Sequence, residues 1–212
     1  MATNILRLYV FRNGRSVRWW ALGLAALAIF EVFMFPVISG IGDFAELFED
    51  LPEAMEAFVG GAIDISTPEL FLQAEMFGLL VPILFAVFAS SLGSDTLAGE
   101  EESGVLYLLL AQPVSRTQLL LEKGIALFVG IALLGIVLWA SLLVGALLAG
   151  VDLGVVAVTR ATFGAFLLGC FFGAVALLIS ALTGRRGTTL ALAGGIIVAA
   201  YLLNAFYPIV DT

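Results

Sequence analysis

The sequence predicts an all-α polytopic membrane protein with five transmembrane helices, and three observations support this prediction. Hydrophobic residues make up 62% of the 212 residues and charged residues only 12%, with a mean hydropathy of +1.13. A soluble domain is about 45–50% apolar and about 25% charged. Five apolar runs are each long enough to cross a hydrocarbon layer of about 30 Å. The basic residues lie mostly in alternate connections between these runs, as in multi-pass membrane proteins.

The apolar runs place five spans within one transmembrane domain that covers residues 1–212. Their predicted limits are about 19–38, 76–92, 124–150, 161–183 and 188–208. The first run contains one charged residue, Glu31, which is an intramembrane candidate for contact with a substrate or a cation. A charged side chain at mid-span costs about 2.5–3.5 kcal/mol on insertion scales. Glu31 is therefore alternatively a protonated acid bonded to a neighbouring helix, or an acid close enough to the outer surface to stay hydrated.

Basic residues predict the orientation. The chain has nine of them, and eight are cytoplasmic if the N-terminus is cytoplasmic, as the positive-inside rule prefers. These eight are Arg7, Arg12, Arg15, Arg18, Arg116, Lys123, Arg185 and Arg186, while Arg160 lies outside. A cleaved signal peptide is the alternative at the start, but the apolar run exceeds the usual 7–15 residues. We instead expect residues 4–11 to form a short interfacial helix before Trp19 and Trp20 anchor the first span.

Residues 40–74 predict an acidic amphipathic segment on the outer side. From Ser39 to Glu75 there are nine acidic residues and no basic ones, with apolar residues at helical spacing. Two short surface helices fit this pattern. The acids could bind cations, but they lack the spacing of a calcium loop, so a hydrated acidic face is the simpler interpretation. Thr67, Pro68 and Glu69 then supply the cap, first residue and early acid of the helix that enters the second span.

Missing residue types exclude several kinds of function. The chain has no histidine, which removes His-dependent triads, His-ligated zinc and His proton relays. The single cysteine, Cys170, is a small packing residue in an apolar run, and the net charge of −8 argues against a nucleic-acid partner. We expect no catalytic residues, no metal site and no cofactor in this chain. An intramembrane enzyme is disfavoured because no nucleophile and base stand out as a pair.

The predicted cytoplasmic segment 93–123 carries the most information. Asp95 is a candidate N-cap for a short helix that ends near Glu102, and Gly104 allows a break before an apolar stretch. Ser115 and Gln118 form a capping-box pattern at the start of the helix that enters the third span. The result is a helix, a break and a second helix, which we call the elbow. Its leucine-rich second half would promote aggregation in the cytosol unless it contacted lipid or a partner protein.

The elbow also carries a family resemblance. Glu100-Glu101-x-x-Gly104, then Leu108-Leu109, Pro113-Val114-Ser115-Arg116 and a downstream Lys123, resembles the signature of ABC-2 type transporter permeases. The likeness is greatest to the small permeases of the nitrous-oxide-reductase maturation type, which pair with a separate ATPase. It implies a permease subunit in the plasma membrane that acts in export, and a homodimer or heterodimer of permeases. ATP and Mg²⁺ would bind to an ATP-binding cassette subunit, because this chain has no GxxxxGK[ST] loop.

The resemblance assigns coupling to the ATPase subunit to nine residues of the elbow. They are Glu100, Glu101, Gly104, Leu108, Leu109, Pro113, Ser115, Arg116 and Lys123. The alternative for the charged members is a hydrated helix surface with a lysine that snorkels to the interface. Permeases of this family usually have six spans, so a truncated chain or a shorter variant is expected here.

Two further alternatives stay open at this stage. Gly169-x-x-x-Gly173 permits close helix contact, either within the chain or across a permease dimer. In place of a permease, the chain could be a non-transporting membrane anchor or an assembly factor for a metalloenzyme maturation system. Stimulation of a partner ATPase by candidate substrates would separate these two functions.

Overall fold

The computed structural model describes the backbone of residues 2–40, 67–111 and 115–210, and the side chains of 14–40, 67–107, 111 and 115–206. This part of the chain is helical, and five of its helices are long and apolar enough to cross a membrane, which confirms the predicted fold class. The two short helices expected within residues 41–66 lie outside the described residues. The predicted orientation of the spans stays a prediction.

Seven helices make up the described chain. They are α1 (Ala2–Ser39), α2 (Pro68–Thr96), α3 (Ala98–Glu102), α4 (Val105–Leu110), α5 (Arg116–Ala149), α6 (Val155–Thr183) and α7 (Arg186–Val210). Among the described residues, the segments long and apolar enough to cross a membrane are Gly14–Ser39 of α1, all of α2, α5 and α6, and Arg186–Phe206 of α7.

Most of these helices are longer than the apolar runs that predicted their spans. The apolar runs begin at residues 76 and 124, whereas α2 begins at Pro68 and α5 at Arg116, where the predicted caps at Thr67 and Ser115 place the helix starts. A hydropathy pattern marks only the lipid-facing part of a helix, whereas polar turns continue the helix beyond the bilayer. The separate interfacial helix expected at residues 4–11 is wrong, because α1 is continuous from Ala2 to Ser39.

Helix α2 begins as the sequence predicted and then changes geometry. The Thr67 hydroxyl accepts a hydrogen bond from the backbone N–H of Leu70 at 3.3 Å, and Pro68 follows as the first helical residue. Residues Gln73–Leu80 are π-helical, and α-geometry resumes at Val81. Pro82 offers a physical reason, since a proline ring clashes with the carbonyl four residues back in an α-helix and wider turns relieve that clash.

The chain packs as two compact units. The first consists of residues 1–20, 85–134 and 166–198, and therefore contains the whole elbow. Its core is built from Phe85, Phe88, Leu127, Ile131 and Ala176, all of which are buried. Trp20 meets Phe88 edge to face, with ring centroids 5.6 Å apart.

The second unit consists of residues 21–84, 135–165 and 199–212. Its described core includes Val32, Phe71, Met76, Leu138 and Leu142. The carboxylate of Glu69 in α2 accepts a hydrogen bond from the backbone N–H of Gly154 at 2.8 Å, which joins α2 to the segment that precedes α6.

Candidate functional site

The elbow begins where α2 ends at Thr96. The Thr96 hydroxyl donates to the carbonyl of Leu92 at 2.7 Å, and the chain turns at Leu97 before α3. The predicted cap by Asp95 is wrong. Asp95 lies in the last turn of α2 and forms an ion pair with Arg186, and Leu97 occupies the N-cap position of α3 without a side-chain cap. The first N–H of α3, that of Ala98, instead donates to the Ser180 hydroxyl of α6 at 2.8 Å. A hydroxyl from another helix therefore takes the place of a local cap.

A glycine separates the two short helices of the elbow, as predicted. Gly104 has φ +75°, in the left-handed region that favours glycine, and its N–H donates to the carbonyl of Glu101 at 3.1 Å. In α4 the ring of Tyr107 is 68% exposed. Leu108 and Leu109 lie in the α4 backbone, but their side chains and Pro113 lie outside the described residues. The exposed Tyr107 shows that part of this apolar helix faces away from the protein.

Helix α5 begins with the predicted serine cap. The Ser115 hydroxyl accepts a hydrogen bond from the backbone N–H of Gln118 at 3.1 Å, and Arg116 follows as an exposed residue. In a capping box the Gln118 side chain would also bond back to the backbone N–H of Ser115. Here it instead donates to the Glu122 carboxylate at 3.0 Å. One half of the predicted motif therefore forms the helix start.

Replacing Ser115 by alanine tests that cap. We expect the variant to lose about 1 kcal/mol of local stability, because the N–H of Gln118 loses its acceptor. Hydrogen–deuterium exchange should show faster exchange at Gln118 and Leu119, whereas amides in the middle of α5 should keep their rates. Unchanged exchange at these two positions would contradict the assignment of Ser115 as the cap.

Glu100 and Lys123 form a buried ion pair. Glu100 is 4% exposed and Lys123 is 1% exposed, and the Lys123 ammonium contacts the Glu100 carboxylate directly. The same ammonium donates to the backbone carbonyl of Thr96 at 2.7 Å. Neither a hydrated carboxylate nor a snorkelling lysine describes this arrangement. Glu100 of α3 and Lys123 of α5 contact each other in the interior of the protein, so the structure does not place them on a surface that a partner could contact.

This buried pair joins three elements of the first unit. Glu100 belongs to α3, Thr96 ends α2, and Lys123 lies in the second turn of α5. Removing two charges from water is costly, and the cost is offset only when each charge keeps its partner. The pair therefore fixes α3 to the start of the third span in one register.

The two remaining glutamates of α3 are exposed and lie beside the connection between α6 and α7. The Glu102 carboxylate accepts a hydrogen bond from the backbone N–H of Arg186 at 2.9 Å. Gly184 has φ +60°, and a Cβ added there would lie 2.6 Å from the Glu101 carboxylate. The positive φ favours glycine at this position, whereas the exposed Glu101 side chain could move aside from a larger residue.

Glu31 is not part of this cluster. It is half-buried in α1 and belongs to the second unit, where the carboxylate of Glu75 is its electrostatic neighbour. The structure thus brings together Glu100, Lys123 and the elbow backbone, and leaves Glu31 among a different set of residues. Its proposed contact with a substrate or cation stays a prediction.

The glycine motif of the fourth span packs within the chain. A Cβ on Gly169 would meet Ile131 at 2.9 Å and Phe85 at 3.2 Å, and one on Gly173 would meet Ile131 at 3.1 Å. These contacts join α6 to α2 and α5. The alternative of packing within the chain is therefore confirmed for both glycines.

Sequence reasoning missed three participants in the elbow: Asp95 as an ion-pair partner, Ser180 as a cap and Arg186 as a binding residue. One available signal was the position of Lys123 at the edge of an apolar run, where a charge needs a partner. Arg186 contributed only to the predicted orientation of the spans. Contacts with residues 180 and 186 depend on how the helices pack, which the local pattern does not specify.

Comparisons with known proteins agree with the resemblance. The model of a family described as "ABC-2 family transporter protein" matches residues 11–210. The chain is 35% identical over 121 residues to the "Probable ABC transporter permease protein NosY" of Stutzerimonas stutzeri, covering 55% of this chain and 44% of that protein. It is 36% identical over 120 residues to the protein of the same name in Pseudomonas aeruginosa, covering 51% and 41%. The chain thus matches less than half the length of either relative. No solved structure gives a significant match.

Proposed function

The chain belongs to the ABC-2 family of transporter proteins, and from that premise we propose that it is the membrane subunit of an ABC transporter. In this proposal a separate nucleotide-binding subunit binds ATP with Mg²⁺ and hydrolyses it. The observation that carries the proposal is the elbow, a helix pair with an exposed apolar residue, Tyr107, and a buried ion pair that fixes it to the third span. The relatives' printed name, permease, supports the same function.

The elbow would convert movement of the ATPase into movement of the spans. An apolar surface that includes Tyr107 would sit in a groove of the partner, with Arg116 at its charged edge. Because Glu100 is bound to Lys123, displacement of α3 would pull on the start of α5. ATP can bias the two states of the spans only through its different affinity for them. Export, and assembly as a permease homodimer or heterodimer, complete the proposal on the basis of the family resemblance.

A matched pair of arginine variants tests the docking surface. Arg116→Glu should weaken co-purification with a candidate ATP-binding cassette subunit by at least fivefold, and Tyr107→Asp should do the same. Arg160→Glu is the control, because Arg160 is also exposed at the start of a span but lies in the second unit. Its predicted position on the outer side leaves it no contact with a cytoplasmic partner.

The proposed docking role would be overturned if deletion of residues 95–115 left the association intact, or if both arginine variants weakened it equally. Reconstituted complexes then separate a permease from a membrane anchor. A permease should change the rate of ATP hydrolysis by its partner when a transported substrate is added, whereas an anchor should leave that rate unchanged.

A further inference from the structure

Two acidic residues, Asp95 at the end of α2 and Glu102 in the elbow, bind Arg186 at the start of α7, and we call this contact the latch. The Asp95 carboxylate lies 2.5 Å from Nε of Arg186, and its second oxygen lies 3.5 Å from Nη2. The Glu102 carboxylate accepts the backbone N–H of the same residue at 2.9 Å. Arg186 is the first residue of α7, so Glu102 supplies a negative charge where the helix dipole favours one.

The latch differs from the buried pair in its exposure to water. The side chains of Arg186 and Asp95 are 45% and 29% exposed, compared with 1% and 5% for Lys123 and Glu100. An exposed ion pair contributes little net stability and is screened by salt, whereas a buried pair resists separation because each charge would lose its counter-charge away from water. The ion pair with Arg186 is therefore expected to separate more readily than the pair that holds α3 to α5.

We propose that Arg186 is a positioning residue of the elbow, which binds Asp95 and Glu102 in one state of the transport cycle and releases them in the other. Closed, the latch makes the fifth span follow the elbow. Open, it leaves α3 attached to α5 through Lys123 and to α6 through Ser180, but no longer to α7 through Arg186. The role in transport rests on the proposed function, but the opening of the latch is a property of this chain by itself.

Paired spin labels test the opening directly. Cys170→Ala removes the single cysteine, and Ser103→Cys with Thr188→Cys places labels on two exposed residues, one after α3 and one in the first turns of α7. In the full chain in lipid nanodiscs, the dipolar broadening between the labels reports whether α3 and α7 are held together. Arg186→Gln removes the ion pair with Asp95 and leaves only the backbone N–H of residue 186 to bind Glu102, so we expect it to raise the fraction of molecules with separated labels at least fivefold. High salt should act in the same direction, because at 1 M the screening length is about 3 Å.

Arg185→Gln is the matched control, because it removes the same charge one residue away. Arg185 is exposed and forms no ion pair with a described residue, so the broadening should stay as in the parent chain. The double exchange Asp95→Arg with Arg186→Asp should restore most of the broadening that either single change removes. The proposal is overturned if Arg186→Gln leaves the broadening unchanged, or if Arg185→Gln abolishes it equally.

A second arm separates the latch from the proposed function. With the ATPase subunit bound, ATP should change the broadening in the parent chain, and Arg186→Gln should abolish that change without reducing co-purification. An ATP response that survives Arg186→Gln would overturn the positioning role. Absence of any ATPase association would contradict the proposed function instead, while the spectra of the chain alone would still decide whether the latch opens.

Discussion

Replacement of Lys123 by methionine is expected to lower the free energy of unfolding by about 3–5 kcal/mol, because the Glu100 carboxylate would remain buried without its counter-charge. Glu100→Gln should have an effect of the same sign, since the buried Lys123 ammonium then loses its counter-charge and keeps only neutral acceptors such as the Thr96 carbonyl. Denaturant titration of the detergent-solubilised protein measures the loss. Hydrogen–deuterium exchange should locate it at residues 96–104, where the pair holds α3 against α5.

The double variant distinguishes loss of a pair from loss of packing. Glu100→Gln with Lys123→Met removes both charges, and replacement of a complete buried pair is often neutral or stabilising by about 1–4 kcal/mol. We therefore expect it to be more stable than either single variant. Arg116→Met is the control, because Arg116 is exposed. If the two single losses simply added in the double variant, the proposed interdependence of the two charges would be wrong.

Gly93→Ala is expected to destabilise the first unit by about 1–3 kcal/mol, the cost of overpacking a close contact. A Cβ at Gly93 would lie 2.8 Å from the carbonyl oxygen of Gly173 and 3.2 Å from the backbone nitrogen of Leu177. These are backbone atoms of α6, so no rotamer change can relieve the clash and the two helices must separate. Thermal unfolding in detergent should show a lower midpoint.

Gly164→Ala provides the comparison, because it makes the same change in a spanning helix with nothing within 4 Å of the new methyl group. Alanine is favoured over glycine inside a helix by about 0.5–1 kcal/mol, so this variant should be as stable as the parent or slightly more so. Equal destabilisation by the two substitutions would show that the contact between Gly93 and α6 does not limit the packing.

The sequence predicted the spanning helices well because lipid imposes a simple rule. Each span needs about 20 apolar residues, and such runs are visible without knowledge of packing. Local capping was also predictable where the acceptor and donor are three residues apart, as with Thr67 and Leu70 or Ser115 and Gln118. Gly104 was predictable for the same reason, since a chain reversal between two helices favours a residue that tolerates positive φ.

The contacts that connect the elbow to the spans were not predictable from local patterns. Glu100 and Lys123 are 23 residues apart, and the pairing depends on how α3 folds back against α5. Asp95 is a residue type that favours N-cap positions, yet the N–H of Ala98 donates to the hydroxyl of Ser180, which is 82 residues away. Residue type alone could not distinguish these outcomes, because the same carboxylate serves as a cap or as an ion-pair partner.

The π-helical stretch Gln73–Leu80 determines the register of the second span. A π turn contains more residues than an α turn, so this stretch holds more residues than an α-helix with the same number of turns would. If the π turns became α turns and one surplus residue left this stretch, the part of the helix before it would rotate by about 100° around the helix axis. Glu69 would then turn away from the N–H of Gly154 that it now binds. The π-helical stretch thus sets the rotation of the first turns of α2, and so the side of the helix on which their carboxylates lie.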